Sequence, residues 1–265
     1  MVLEDKLQCL ENILRDLESV LVAFSGGVDS TFLLRVAYQV LKDKVLAVTV
    51  RAPMYPTWEI DAAIDYANQV GVRHLVLDID AMQNLEFTAN SPQRCYYCKK
   101  ALFEKLLEEA HKCDVRYVVD GTNKDDEADY RPGRQAIQEL GIRSPLWEAG
   151  LTKAEIRQAS RNLGLPTWDK PSYACLASRI PYGVSITLER LSVVERAEAY
   201  LTELGFGQLR VRYHGDLARI EVERQELPRL LQYASQIVTH FRKLGFLYIT
   251  ADLEGYRTGS LNAPL

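Results

Sequence analysis

Short apolar runs alternate with segments of helical spacing along the N-terminal part of the chain. The runs have the length and content of buried strands, and they cover Val20–Phe24, Val45–Val50, His74–Ile79 and Tyr117–Asp120. Segments with apolar residues three and four positions apart precede and separate these runs, as at Leu3–Leu17 and Trp58–Val70. This order predicts an α/β fold with a doubly wound, mostly parallel sheet.

Local signals predict further boundaries in the same part of the chain. The Ser91–Pro92 pair predicts a helix start with a capping serine, and Thr152 with Glu155 has the pattern of a capping box. Ser144–Leu146 is interpreted as a fifth strand or an extended piece. Pro166–Gly183 has no clear periodicity, so we interpret it as an active-site loop that leads to a domain boundary.

The C-terminal segment has a different order of elements. Its periodicity predicts helix, strand, strand, helix and strand over Leu188–Leu204, Gln208–Tyr213, Ala218–Val222, Leu227–Leu244 and Gly245–Thr250. A mixed order of this kind is typical of a small α+β domain. We therefore divide the chain into a first domain over residues 1–186 and a second over residues 187–265.

Composition and charge narrow the class of protein. With 47% hydrophobic and 26% charged residues, a chain of 265 residues is typical of a globular protein that buries a full core. No apolar run reaches the length of a membrane span, and the acidic start Met1–Lys6 does not resemble a signal peptide. We therefore expect a cytoplasmic protein with no membrane partner. The net charge of −4 weighs against a nucleic acid as partner or substrate.

The segment Ser25–Ser30, with the sequence SGGVDS, joins the first predicted strand to a helix and has the features of a phosphate loop. Its two glycines let backbone amides approach an anion closely, its two serines add hydroxyl donors, and the helix start presents unpaired amides. No lysine ends the loop, so it is not a Walker A sequence. It resembles instead the SGGxDS loop, or PP-loop, of the ATP pyrophosphatases, which cut ATP between the α and β phosphates and transfer AMP to their substrate.

The PP-loop resemblance implies ATP as a substrate, with five residues of the loop at its phosphates: Ser25, Gly26, Gly27, Asp29 and Ser30. Asp29 is also a candidate ligand for Mg²⁺ on the pyrophosphate, together with the acidic run 125–127, for which a solvated loop is an equal alternative. Gly121 and Thr122 follow the fourth predicted strand, at the sheet edge where open α/β proteins bind ligands.

Two cysteines, Cys95 and Cys98, lie three residues apart near a predicted helix start, hence on one face of the helix. The positive end of the helix and the neighbouring basic residues favour thiolates, which bind metals. A third thiolate is needed to hold an iron–sulfur cluster, and Cys175 in the irregular loop is the candidate. Three cysteines on a [4Fe–4S] cluster leave one iron open to sulfide. A redox disulfide within the pair and core thiols without a function are the competing interpretations.

Two arginines, Arg210 and Arg212, share one face of a predicted strand in the C-terminal domain. One interpretation is an antiparallel hairpin with a charged, exposed face. The other is a phosphate site for a nucleotide-like substrate, because two guanidinium groups bind a phosphate well.

Several further segments give the chain a more specific likeness. They are Asp120–Asn123, Asp129–Gly133, Leu163–Pro171, Ala174–Gly183 and Gly255–Asn262. Together with SGGVDS, these segments resemble the LarE family, the sulfur transferases of nickel-pincer nucleotide cofactor synthesis, over essentially the whole chain. The resemblance implies that ATP adenylates a carboxylate of pyridinium-3,5-biscarboxylic acid mononucleotide. Sulfur then displaces AMP and leaves a thiocarboxylate.

The LarE family contains two sulfur strategies. In one, a single cysteine that matches Cys175 gives up its own sulfur and becomes dehydroalanine. In the other, a Cys-x-x-Cys pair joins that cysteine to hold a [4Fe–4S] cluster with the transferable sulfide. Because this chain has Cys95 and Cys98, the resemblance implies the cluster form, supplied by an unidentified sulfide donor.

The same resemblance implies roles for individual residues: Lys99 near the reacting carboxylate, Arg131 at the nucleotide, and Arg210 and Arg212 at the substrate phosphate. It also implies a homo-oligomer. Three rival functions are a PP-loop enzyme that thiolates a tRNA base, a non-catalytic nucleotide-binding redox sensor, and an amidotransferase that uses ammonia. The amidotransferase would be indifferent to Cys175→Ala.

Overall fold

The structure, a computed structural model, describes residues 2–127, 132–171 and 174–257. The chain packs into two compact units. The first unit contains Met1–Asn84 and Gln93–Tyr173, and the second contains Leu85–Pro92 and Ala174–Leu265. The division into domains at residues 186 and 187 stays a prediction.

Seven strands and eleven α-helices lie within the described residues. The strands are β1 (Val20–Ala23), β2 (Val45–Arg51), β3 (Arg73–Asp78), β4 (Tyr117–Val119), β5 (Leu209–His214), β6 (Leu217–Val222) and β7 (Tyr248–Ala251). The helices are α1 (Leu3–Leu17), α2 (Val28–Leu41), α3 (Thr57–Val70), α4 (Leu85–Thr88), α5 (Arg94–Lys112), α6 (Pro132–Glu139), α7 (Pro145–Glu148), α8 (Lys153–Asn162), α9 (Leu188–Glu203), α10 (Leu227–Gln232) and α11 (Ala234–Lys243).

The sheet of the first unit has four parallel strands in the order β3-β2-β1-β4. Its central strand β1 is apolar without alternation because helices cover both faces of the sheet. Val20 and Val22 pack into the hydrophobic core on one face, whereas Leu21 packs into the core on the other face. The predicted α/β fold with a doubly wound, mostly parallel sheet is confirmed.

Two local predictions in the first unit are wrong. Ser144–Leu146 is not a strand, because Pro145 starts the short helix α7 and only Arg143 makes a parallel bridge to Val119 of the described sheet. Proline favours the first helical turn since its φ is already helical and its missing N–H is not needed there. Helix α5 begins at Arg94, with Gln93 rather than a serine at its cap, and the preceding segment Leu85–Pro92 belongs to the second unit.

The predicted capping box at the start of α8 is confirmed. Thr152 accepts the backbone N–H of Glu155 at 3.3 Å, and the Glu155 carboxylate accepts the backbone N–H of Thr152 at 2.8 Å. The same carboxylate accepts two contacts from Lys6 of α1, at 2.7 and 2.8 Å. This pairing orients α8, which begins with Lys153 beside the phosphate loop.

The second unit contains a three-stranded sheet in the order β5-β6-β7. Strands β5 and β6 form an antiparallel hairpin, and β7 pairs parallel to β6. The predicted small α+β fold of this segment is confirmed, although the single helix expected over Leu227–Leu244 breaks at Tyr233, whose ring packs edge-on against Phe206. Within the ranges that the structure covers, no helix is long and apolar enough to cross a bilayer.

His74 makes the stability of the first unit dependent on pH. Its Nε2 lies 2.9 Å from Oγ1 of Thr49, and its ring packs edge-on against Phe24. Burial lowers the pKa of His74 from its ordinary value of 6.5. Because the unfolded chain then binds a proton at a higher pH than the folded chain, the contribution of His74 to stability is fully present above pH 6.5. It is lost as the pH falls toward the lower pKa of the folded state.

We predict that His74→Gln flattens the pH dependence of the melting temperature below pH 6.5. The measurement is thermal unfolding of both proteins across the acidic range. His111→Gln is the matched control, because His111 is exposed on α5 and its replacement should keep the wild-type slope. Equal slopes for wild type and His74→Gln would contradict the prediction.

Candidate functional site

The phosphate loop, Ser25–Ser30, runs from the end of β1 into the first turn of α2 and requires glycine at position 26. Gly26 has φ +67°, in the left-handed region that other residues rarely adopt. A Cβ atom on Gly26 would lie only 2.9 Å from the Cβ atom of Ala63 in α3. The loop backbone therefore passes directly against a neighbouring helix.

The serine hydroxyls hold the loop in shape. Ser25 Oγ and Ser30 Oγ lie 3.0 Å apart, and Ser30 Oγ accepts the backbone N–H of Ser25 at 3.3 Å. The backbone N–H of Gly27 points to Ser25 Oγ at 3.4 Å, and no side chain caps the start of α2. Backbone amides at an uncapped helix start attract an anion, so this geometry fits the predicted ATP phosphates. The assignment of these residues to ATP stays a prediction.

Asp29, in the first turn of α2, has one carboxylate oxygen engaged and the other without a partner. Its Oδ2 lies 2.5 Å from Lys153 Nζ, while its Oδ1 is buried and accepts no hydrogen bond from any described residue. Burial raises the pKa of Asp29, the Lys153 ammonium opposes this shift, and the charge of Asp126 adds to it. A buried oxygen without a partner beside a phosphate loop fits the predicted Mg²⁺ ligand.

Two carboxylates of the acidic run after β4 accept hydrogen bonds from neighbouring backbone amides. Asp125 accepts the backbone N–H of Lys153 at 2.8 Å, and Asp126 accepts the backbone N–H of Asn123 at 3.0 Å. Asp125 is nevertheless exposed, so the choice between Mg²⁺ ligands and a solvated loop stays open for these residues. The side chain of Glu127 and the whole of Arg131 lie outside the described part of the chain, so their predicted roles stay predictions.

Two lysines at the phosphate loop were missed by sequence reasoning. Besides Lys153, Lys170 donates from Nζ to the backbone carbonyl of Gly26 at 3.0 Å and lies 5.7 Å from the ring centre of Trp58. Burial lowers the pKa of Lys170. The two ammonium groups bring to the loop the positive charge that a Walker A lysine brings from within its own loop. The segment Leu163–Pro171 contains Lys170, but nothing in its spacing relates it to a loop 144 residues away.

Arg157 of α8 holds the segment that carries Lys170. Its guanidinium donates to the backbone carbonyls of Trp168 and Lys170, each at 2.8 Å. Lysine side chains are flexible, so a fixed backbone restricts where the ammonium group can reach. The position of Lys170 at the loop thus depends on a second basic side chain.

Lys99 of α5 lies near the end of β4, at the same sheet edge as the phosphate loop. A Cβ atom on Gly121 would lie 3.0 Å from the backbone nitrogen of Ser30, so the chain after β4 contacts the start of α2 closely. The preceding residue, Asp120, is buried and accepts hydrogen bonds from Thr122 Oγ1 and Ser144 Oγ, both at 2.6 Å. Lys99 Nζ lies 4.0 Å from Asp120 Oδ2. Lys99 therefore lies near the chain that follows β4, and the predicted roles of Gly121, Thr122 and Lys99 stay predictions.

The cysteine pair lies on the first two turns of α5. Cys95 is exposed and Cys98 is half-buried. Helix α6 packs tightly beside them, since a Cβ atom on Gly133 would lie 2.8 Å from Cδ of Lys99 and 3.2 Å from the carbonyl oxygen of Cys95. The backbone of Cys95 and the side chain of Lys99 thus lie on the side of α5 that meets α6.

Cys175 belongs to the second unit, where it precedes a 3-10 turn over Leu176–Arg179 and is half-buried. The structure describes it and the Cys95/Cys98 pair within separate units. Within the ranges covered, no group of three His, Cys, Asp or Glu side chains is arranged to hold a metal ion. The predicted [4Fe–4S] cluster on Cys95, Cys98 and Cys175 stays a prediction.

Arg210 and Arg212 lie in a buried ionic network of the second unit, with exposed fractions of 2% and 5%. Arg212 Nη2 lies 2.7 Å from Oε2 of Glu221, and the guanidinium of Arg210 lies 5.1 Å from the ring centre of Tyr256. Burial lowers the pKa of Arg210, and the charge of Arg179 adds to the effect. The interpretation as a charged, exposed hairpin face is therefore wrong, whereas the phosphate role of both arginines stays a prediction.

We predict that Gly26→Ala abolishes binding of ATP and of inorganic pyrophosphate. The added methyl group would displace the loop from α3, in addition to a cost of about 1 to 2 kcal/mol for the left-handed backbone. Gly71→Ala is the matched control, because Gly71 has φ +72° but nothing within 4 Å of an added Cβ atom. Calorimetric titration should show loss of binding in Gly26→Ala alone, with lowered melting temperatures in both. Normal affinity in Gly26→Ala would contradict the prediction.

We also predict that Lys170→Met weakens pyrophosphate binding roughly tenfold or more, because a charge-assisted contact at the phosphates is lost. Titration with inorganic pyrophosphate measures the effect. Lys42→Met is the control, since Lys42 also lies over an aromatic ring, that of Tyr38, at 5.8 Å but does not contact the loop. Equal losses in the two variants would mean that Lys170 has no specific role.

Comparisons with known proteins show the family to which this chain belongs. The family model of the queuosine biosynthesis protein QueC matches residues 19–100, which include the phosphate loop and the cysteine pair. An uncharacterised protein of Synechocystis sp. is 46% identical over 100% of this chain and 99% of its own. The pyridinium-3,5-bisthiocarboxylic acid mononucleotide synthase of Lactiplantibacillus plantarum is 38% identical over 99% of this chain and 96% of its own. A tRNA-specific 2-thiouridylase of Thermoanaerobacter sp. is 27% identical, over 62% of this chain and 57% of its own. This chain therefore belongs to the LarE family of sulfur-transferring enzymes.

Proposed function

We propose that this enzyme uses ATP to convert a carboxylate of pyridinium-3,5-biscarboxylic acid mononucleotide to a thiocarboxylate. The observation that carries the proposal is the 38% identity, over nearly the full length of both chains, to the synthase whose name states the bisthiocarboxylic acid product. The phosphate loop, the lysines beside it and the cysteine pair near Lys99 add support from the chemistry of the site.

In the first step, a carboxylate oxygen of the substrate attacks the α-phosphorus of ATP. The bond from that phosphorus to the bridging oxygen breaks, pyrophosphate leaves with the electron pair, and an acyl-adenylate forms. This step is needed because a free carboxylate has no good leaving group, whereas an acyl-adenylate can release AMP.

Several groups of the first unit support this step. The amides of the loop and of the start of α2 would bind the pyrophosphate, and Lys153 and Lys170 would neutralise its growing charge. Asp29 would hold Mg²⁺, which supplies further charge neutralisation at the phosphates. Lys99, near Asp120 at the same sheet edge, would orient the reacting carboxylate.

In the second step, a sulfide sulfur attacks the acyl carbon of the adenylate. The bond from this carbon to the AMP oxygen breaks, AMP leaves with the electron pair, and the hydrosulfide proton is released to solvent. The products are a thiocarboxylate and AMP, so no oxidant or reductant is consumed.

Cys95, Cys98 and Cys175 are the residues that would hold a [4Fe–4S] cluster, which when bound supplies sulfide at its one iron without a protein ligand. Two cysteines three residues apart at a helix start, followed in sequence by Lys99 and Lys100, are chemically suited to such a group. An external sulfide donor would complete the cycle. The alternative is that Cys175 gives up its own sulfur.

Arg210 and Arg212 would bind the phosphate of the nucleotide substrate. Both guanidinium groups are buried, and the charge of Arg212 contributes to the lowered pKa of Arg210. A buried cluster of cations favours an anionic ligand, and a phosphate accepts several charge-assisted hydrogen bonds. A homo-oligomer is part of the proposal and is measured by the mass of the protein in solution.

The source of the sulfur is tested by anaerobic purification followed by iron and sulfide analysis. We expect about four iron and four sulfide ions per chain in the wild type. Both should be lost in Cys95→Ala and retained in Cys113→Ala, the matched control, since Cys113 ends α5 but lies outside the proposed cluster. Product should form repeatedly, with no change in the mass of the chain.

A wild-type chain that contains no iron and loses the elements of hydrogen sulfide in one turnover would overturn the cluster. It would favour sacrifice of Cys175 instead. The same assay with a tRNA transcript in place of the mononucleotide tests the thiouridylase alternative raised by the partial likeness to the Thermoanaerobacter enzyme. We expect thiocarboxylate from the mononucleotide and no thiolated tRNA.

A further inference from the structure

One buried side chain, that of Arg179, holds the backbone on both sides of Cys175. Arg179 has an exposed fraction of 0%. Its Nη1 donates to the carbonyl oxygen of Ala174, to that of Cys175 at 3.0 Å and to Ser178 Oγ at 3.0 Å. The backbone around the cysteine therefore converges on a single guanidinium group.

The opposite edge of the same guanidinium group is bound by Glu198 of α9. Arg179 Nε and Nη2 donate to the two carboxylate oxygens of Glu198, each at 2.9 Å. This bidentate arrangement fixes the plane of the guanidinium group relative to that of the carboxylate. Glu198 Oε1 also accepts the backbone N–H of Val211 in β5 at 2.9 Å. Glu198 thus connects the Cys175 loop to the strand that carries Arg210 and Arg212.

A second connection joins the same two parts of the unit. Arg212 Nη1 donates to the backbone carbonyl of Ser178 at 2.9 Å, while its Nη2 lies 2.7 Å from Glu221 of β6. The strand of the two arginines is therefore bonded to the Cys175 loop directly through Arg212 and also through the Arg179–Glu198 pair.

We infer that Arg179 and Glu198 are positioning residues that set the distance between Cys175 and the arginines Arg210 and Arg212. The inference rests on the proposed function and deepens it. A substrate with a phosphate at one end and a reacting carboxylate at the other requires a fixed separation between the groups that meet those ends. Reacting atoms must approach to about 3 to 3.5 Å, and an error of about 1 Å can slow a reaction roughly a hundredfold.

The substitution Arg179→Lys would keep the positive charge but remove the planar guanidinium group. Lysine has a single nitrogen, so it cannot bind both oxygens of Glu198 and the three acceptors around Cys175 at once. Glu198→Gln keeps the shape of the side chain and removes its charge. The two variants therefore perturb the same connection from its two ends without opening a large cavity.

The test compares two products of one reaction. In a single turnover with the mononucleotide and ATP, pyrophosphate reports adenylation, and thiocarboxylate reports sulfur transfer. We expect pyrophosphate release within about twofold of wild type in Arg179→Lys and Glu198→Gln. Thiocarboxylate formation should be slower by roughly a hundredfold, with the difference recovered as AMP and unchanged carboxylate after hydrolysis of the adenylate.

A second readout is independent of the reaction. In the protein freed of iron and of substrate, alkylation of Cys175 by iodoacetamide, followed by peptide mass mapping, should be several-fold faster in both variants because the loop is less restrained. Arg229→Lys is the matched control. Arg229 also donates to two backbone carbonyls, those of Leu204 and Gly205, and pairs with Glu226 in the same unit, but it does not contact the Cys175 loop.

If the rates of pyrophosphate release and thiocarboxylate formation fall by the same factor, so that their ratio stays that of the wild type, the positioning role is overturned. An effect of Arg229→Lys equal to that of Arg179→Lys would overturn it as well. If the wild type releases pyrophosphate but forms no thiocarboxylate, the proposed function fails. The alkylation rates then support or overturn the positioning of Cys175 by themselves.

Discussion

The close approach of backbone segments around the phosphate loop is the constraint on which the first unit depends. At Gly26 the loop passes within van der Waals distance of Ala63, and at Gly121 the end of β4 does the same against the start of α2. Neither position has room for a side chain. The carboxyl ends of the parallel strands β1 and β4 lie at one edge of the sheet, near Asp29 of α2 and Lys99 of α5. Open α/β folds bind their ligands at such an edge.

Electrostatics at this edge are arranged by pairs that are distant in sequence. Lys153 neutralises one oxygen of Asp29 and leaves the other buried without a hydrogen-bond partner from the described residues, which is a costly arrangement unless a ligand completes it. Lys170 reaches the carbonyl of Gly26 from a segment held by Arg157. The loop contains no lysine of its own, and tertiary contacts give it two.

Buried ion pairs connect separate segments of the second unit. A buried pair is often no more stabilising than well-packed apolar side chains, because both charges lose their hydration. The arginine–glutamate pairs connect segments of this unit: Arg179 and Arg212 each bind a carboxylate and also donate to a backbone carbonyl of the Cys175 loop. Charged side chains therefore lie inward on a hairpin for which an exposed, charged face was one of two interpretations of the sequence.

Local chemistry in the sequence determined the α/β class, the phosphate loop, the capping box at Thr152 and the family, because each depends on residues that are neighbours along the chain. The strand predicted at Ser144–Leu146 and the capping serine predicted for α5 were wrong. Both predictions depended on weak local signals that a single proline or tertiary packing outweighed. Tertiary structure alone decided that Arg210 and Arg212 are buried, that Lys170 meets Gly26, and that Arg179 holds Cys175. Burial and pairing of charges depend on segments brought together by the fold, and the order of residues does not contain those distances.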